Sequence, residues 1–91
     1  MALGFYFVHG GFTPDKYNDV IKELEAAGAG APKGRSIHVA LESNGEIQVF
    51  DVWDSQEEFD AFGSTLLPIL AGHDIELKDP MVARVHNVIE G

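Results

Sequence analysis

The sequence predicts an α+β domain in which two helices cover one face of a four-stranded antiparallel sheet. Three observations predict it. Asn44-Gly45 lies between two β-rich runs, the strongest short hairpin signal there is. Two stretches place apolar residues at helical spacing behind a capping residue. A further β-rich run stands near each end of the chain.

The first strand is read over residues 3–9, where Phe5, Tyr6, Phe7 and Val8 are consecutive and Gly10-Gly11 ends the run. Thr13-Pro14-Asp15 opens a helix. Threonine caps it, proline sits where its missing N–H costs nothing, and aspartate complements the positive helix end. Tyr17, Val20, Ile21, Leu24 and Ala27 form one helical face, and Gly28 is placed to end the helix. Residues 28–34 read as a plain connector, because they follow a helix and lack phosphate-loop spacing.

Arg35–Ser43 and Glu46–Trp53 are the hairpin strands. Ser55 and Glu58 make a capping box at the start of a second helix, whose buried face is Phe59, Phe62, Leu66, Leu67 and Leu70. Gly63 and Pro68 interrupt that pattern and predict a kink or a break into two short helices. After a polar connector, residues 81–89 read as the last strand. The order β-α-β-β-α-β is the ferredoxin-like, split βαβ arrangement. Its usual topology orders the strands 4-1-3-2, with the first and third adjacent and here read as parallel.

Ninety-one residues allow one domain, taken as residues 1–91. A chain this short buries only about 60% of its unfolded surface and is marginal as a lone monomer. Six Lys+Arg against fifteen Asp+Glu give a formal net charge of -9. That field repels phosphate backbones and anionic lipid, so neither nucleic acid nor a membrane is an expected partner. The absence of cysteine excludes disulfides, thiolate catalysis and cysteine-ligated zinc. No signal-peptide pattern is present, which points to a cytoplasmic protein.

The strands do not alternate cleanly between apolar and polar residues. Leu3, Phe5 and Phe7 share one face of the first strand, with Tyr6 and Val8 on the other. Ile47, Val49 and Trp53 share one face of the third, with Phe50 and Val52 on the other. Two helices cover only one face of such a sheet. The other face is expected to meet a second copy of the chain in a two-fold homodimer.

Counting outward from a two-residue turn at Asn44-Gly45 sets His38 opposite Asp51 and Ser36 opposite Trp53, all on one face. A carboxylate beside a histidine orients its ring, which is how a general base is often held. His38 and Asp51 are therefore the candidate catalytic pair. Trp53, Tyr6 and Phe50 are candidate substrate-pocket walls. His9 and Arg84, read at the same sheet edge as Trp53, are candidates to hold negative charge on a substrate. His38 and Asp51 lack a third ligand at a fixed spacing, and His73-Asp74 lies in a polar connector, so no metal site is expected.

The run from Val49 to Phe62 (VFDVWDSQEEFDAF) resembles the strand-to-helix junction of the dimeric α+β barrel superfamily. Leu66-Leu67-Pro68-Ile69-Leu70 and Val85-His86-Asn87-Val88-Ile89 resemble its small antibiotic biosynthesis monooxygenase-like members. The resemblance implies a homodimeric barrel and candidate cofactor-independent monooxygenase or isomerase chemistry on a hydrophobic aromatic or polyketide-like molecule. It implies no cofactor. The haem-degrading pattern is missing, since no asparagine stands in the first strand and the first histidine after the second helix, His73, lies beyond Gly72 in the connector; Phe62 and Gly63 stand where many monooxygenase-type members carry a histidine. The alternative is a non-catalytic homodimer that binds a small ligand or serves assembly.

Overall fold

The computed structural model describes residues 2–91. Its elements run β1 (Leu3–Val8), α1 (Pro14–Ala26), β2 (Arg35–Ser43), β3 (Glu46–Trp53), α2 (Gln56–Gly72) and β4 (Met81–Arg84). The four strands form one sheet in the order β2-β3-β1-β4, and both helices pack on the same face. The ferredoxin-like order expected from the sequence is the one found.

The pairing of β1 with β3 corrects the expected parallel orientation. The two are antiparallel, with Leu3 opposite Trp53 and Val8 opposite Gln48. The hairpin turn dictates this, because β3 must reverse the direction of β2, and the crossover through α1 makes β2 the strand parallel to β1. β3 enters between them and is antiparallel to both.

Asn44 and Gly45 both adopt positive φ, 53° and 79°, as a tight hairpin turn requires. Thr13 caps α1 by accepting the Lys16 N–H at 3.3 Å. At the other end Gly28 takes the left-handed conformation. The Ala29 N–H reaches the Leu24 carbonyl at 2.8 Å and the Gly28 N–H reaches Glu25 at 3.0 Å, a Schellman closure.

α2 closes the same way with a less suitable residue. Ile75 N–H bonds the Leu70 carbonyl and Asp74 N–H bonds Ala71, and Asp74 is held at φ 59°. A side chain there is strained, and its negative charge meets the negative end of the helix. Asp74→Gly is expected to stabilise the fold by about 1 kcal/mol. A urea midpoint that falls instead of rising would contradict this.

Two further expectations are corrected. α2 is continuous across Gly63 and Pro68 and does not break in two. Pro68 and Ser64 are exposed, so the carbonyl freed by the proline is on the solvent side, while Phe62 and Leu70 anchor the buried side. β4 ends at Arg84 instead of continuing to residue 89. Arg84 pairs with Leu3, where β1 begins, and among the described residues one more bond follows, from Val85 N–H to the Ala2 carbonyl.

The core lies between helices and sheet. Phe5, Phe7 and Trp53 from the sheet meet Phe59 and Phe62 from α2 and Val20 and Leu24 from α1. Among the described residues no helix is long and apolar enough to cross a membrane.

Candidate functional site

The hairpin register places His38 opposite Asp51, as the turn dictates. His38 Nδ1 lies 2.6 Å from Asp51 Oδ1, and the Trp53 indole N–H donates to Asp51 Oδ2 at 3.2 Å. Asp51 is buried and bonded on both oxygens. The helical face of α1 that carries Val20 and Leu24 into the core also carries Tyr17, one turn earlier. Its phenol oxygen lies 2.7 Å from His38 Nε2, with the two rings 7° from parallel.

These contacts fix the protons. An indole N–H only donates and a carboxylate only accepts. In the neutral ring Nδ1 therefore carries the hydrogen and donates to Asp51, which leaves the Nε2 lone pair to accept from Tyr17. Burial pushes the Tyr17 phenol above its ordinary value; the Arg35 guanidinium opposes this and Asp51 adds to it. Tyr17 thus keeps its proton at neutral pH and donates it to His38. The result is a hydrogen-bonded chain, Tyr17–His38–Asp51–Trp53.

Ser36 does not join the patch. A β-bulge between Arg35 and Ile37 brings Arg35 opposite Trp53, and the Ser36 hydroxyl turns to the Val52 carbonyl at 3.4 Å. Arg35 bonds the Gly30 carbonyl at 3.2 Å and lies over the Phe62 ring, 5.9 Å from its centroid.

The chain opens on a cavity of about 60 Å³ between the helices and the sheet. Its polar lining is His9, Tyr17, Arg35, His38 and Asp51, set among apolar residues such as Phe7, Val20, Leu24, Phe59 and Leu77. Few polar groups converging in an apolar cavity is the usual composition of a small-molecule site, although such sites run to about 300–1,000 Å³. A ring system enters this one only if wall side chains move.

His9 lines the opposite end. The antiparallel β1–β3 pairing corrects its expected place beside Trp53 and Arg84: those two flank Leu3, at the start of β1, and His9 follows its end. His9 is buried between Phe7 and Phe12, and its Nδ1 has no hydrogen-bond partner among the described residues. Burial, with a smaller push from Lys78, lowers its pKa below the ordinary value. The folded chain therefore resists a proton that the unfolded chain accepts below about pH 6.5. Stability is expected to fall as pH drops through that value, by at most about 1.4 kcal/mol per pH unit from this group. His9→Phe should remove that slope and gain about 1–3 kcal/mol from the unpaired nitrogen, since the cavity has room for the larger ring. Melting temperatures at pH 5 and pH 8 check both statements. Equal slopes in the two proteins would refute the assignment.

Tyr6, Phe50 and Arg84 are not in the cavity. Tyr6 and Phe50 face the other side of the sheet, where the Tyr6 hydroxyl bonds Gln48. Phe50 lines a groove of about 430 Å³ there, and the exposed Arg84 borders it. The sequence reads Tyr17 first as a core residue and second as a hydroxyl that could meet a ligand, and it does not single out Arg35. Tyr17's place on the buried face of α1 was legible, but its partner depends on how the helix docks. Among the described residues no cluster of three or more histidines and carboxylates could hold a metal.

No protein-family model matches the chain, and no curated protein matches it. Solved structures do. One, provisionally described as an antibiotic biosynthesis monooxygenase from Chloroflexus aurantiacus J-10-fl, is 21% identical, with a TM-score of 0.60 over 98% of this chain and 95% of that one. SnoaB, a cofactor-independent oxygenase from Streptomyces nogalater, is 14% identical, with a TM-score of 0.62 over 99% and 96%. The chain shares the fold of both. A structural-genomics protein, YJCS, shares it at 12% identity and a TM-score of 0.67, over 94% of this chain and all of that one. At these identities the likeness concerns the fold, and chemistry must be argued from the site.

Proposed function

We propose that the protein is a homodimeric, cofactor-independent monooxygenase that forms a carbanion from a hydrophobic aromatic carbon acid in the cavity under α1. One observation carries this reading: a histidine oriented by a buried carboxylate on the wall of an apolar cavity. His38 is the base and Asp51 orients it, with Trp53 holding Asp51. His9, a neutral polar group at the far end, contacts the ligand's second polar function. The chemistry asks little more of the protein. The base takes one proton from a substrate CH₂, the carbanion forms a C–O bond with dioxygen, and the resulting hydroperoxide loses water. The CH₂ becomes C=O and dioxygen becomes that carbonyl oxygen and one water, which balances without a further reductant.

The dimer uses the other face of the sheet. Val8, Val39, Leu41 and Met81 are exposed there, with Met81 61% accessible, and Phe50 stands among them. In this reading Tyr6 and Phe50 serve the dimer face and not the substrate, and Arg84, paired with Leu3 at the end of β4, borders that face. Sedimentation at micromolar concentration is expected to give about twice the 9.9 kDa chain mass. A folded monomer would refute the dimer.

Oxygen uptake with a panel of one- to four-ring phenols and their keto tautomers tests the activity. Uptake by the wild type that is lost in His38→Ala supports the reading. The small cavity favours a second reading, a dimer that binds a small apolar ligand without turning it over. Ligand binding with no oxygen uptake across the panel would establish that one instead.

A further inference from the structure

Both ring nitrogens of His38 are engaged. Nδ1 is 2.6 Å from Asp51 and Nε2 is 2.7 Å from the Tyr17 phenol, so the base has no free lone pair to offer a ligand. Tyr17 and His38 both line the cavity, and the Tyr17 phenol covers the one ring nitrogen that could accept a proton from it. A proton leaving a ligand in that cavity therefore meets the phenol oxygen before it can meet the imidazole. We propose that Tyr17 is the catalytic residue that takes the substrate proton, passing its own phenolic proton to Nε2 of His38 in the same step.

The transfer balances within the chain of hydrogen bonds. The substrate C–H bond breaks and its electron pair stays on the substrate as an enolate. The proton bonds to Tyr17 Oη, whose former proton bonds to His38 Nε2. The imidazolium so formed is held by Asp51, which keeps both its hydrogen bonds and its charge. Tyr17 is a neutral phenol before and after, so no buried tyrosinate accumulates. Arg35, on the same wall, is placed to offset negative charge that develops on the phenol oxygen or the enolate. Tyr17 is thus the group in contact with substrate, and His38 and Asp51 act through it.

This proposal rests on the reading of the cavity as a site of carbanion formation, and the experiment separates the two. Deuterium exchange is followed by NMR, without oxygen, at the acidic CH₂ of 2-indanone, 2-tetralone and anthrone, three ketones of increasing size. The wild type is expected to accelerate exchange of at least one probe over buffer. Tyr17→Phe should lower that acceleration by about 10²-fold or more, His38→Ala comparably, and the double variant no further, because the two residues act as a unit. The ¹⁵N shifts of His38 provide a readout that loss of packing would not move: Nε2 bears the lone pair in the wild type and loses its donor in Tyr17→Phe. Exchange in folded Tyr17→Phe at the wild-type rate would overturn the relay and leave His38 as the direct base. Exchange by the wild type that is lost in Tyr17→Phe, with no oxygen uptake in the phenol panel, would overturn the monooxygenase reading and support the relay. A wild type that exchanges none of the probes would overturn both.

Discussion

Trp53→Ala is expected to remove most of the folding free energy. Trp53 is fully buried, packs on Phe59 and Phe62 with ring centroids 5.5 and 5.3 Å away, and donates to the buried Asp51. Truncating such a residue costs about 3–5 kcal/mol through lost burial and the cavity left behind. A domain of this size has roughly 5–15 kcal/mol in all, and a short chain lies toward the low end. The urea midpoint should therefore fall by about half or more. Trp53 is the only tryptophan, so far-UV circular dichroism must replace fluorescence as the probe. Trp53→Phe separates packing from hydrogen bonding. It keeps most of the apolar volume and loses the indole N–H, so it should cost about 1–2 kcal/mol. A loss below about 1 kcal/mol in Trp53→Ala would mean that the ring is not packed as described.

The same residue shows why part of this site was legible in the sequence. The Asn44-Gly45 turn fixes a pairing register, and a register is integer arithmetic along two strands, so His38 and Asp51 could be paired from residue numbers alone. The arithmetic holds until a bulge inserts an extra residue. That is why it failed one step further out, where Arg35 and not Ser36 opposes Trp53. Periodicity gave the buried face of α1 but not the strand residue that each position meets, because docking is set by side-chain packing across both layers. Tyr17 was therefore read as a core residue. The position of His9 was lost for another reason: reading β1 and β3 as parallel put the wrong ends of two strands together. The exposed Val88 and Ile89 prolonged the β-rich pattern of the last strand, yet strand pairing ends at Leu3, where β1 begins.

Asp51→Asn should reverse the direction of the hydrogen-bond chain without dismantling it. The carboxylate accepts from two donors, Trp53 Nε1–H and His38 Nδ1–H. The introduced amide has one oxygen and one NH₂, so it can accept from only one of them. The indole cannot change from donor to acceptor, but the imidazole can. The amide oxygen then stays with Trp53, its NH₂ donates to Nδ1 of His38, and the ring hydrogen moves to Nε2. Nε2 now donates to Tyr17, whose hydroxyl loses its acceptor and has no base behind it. Proton abstraction should fall on the order of 10⁴-fold, as when a catalytic histidine is held in the wrong tautomer. Stability should change little by comparison, because all three side chains keep a partner. Asp51→Ala should instead cost about 2–4 kcal/mol, since it strands the buried Trp53 N–H and the half-buried His38 N–H. The exchange assay and a urea titration on both variants check this contrast, and the ¹⁵N shifts of His38 report the tautomer directly. Asp51→Asn with wild-type exchange, or with the hydrogen still on Nδ1, would show that the carboxylate does not set the direction of proton flow.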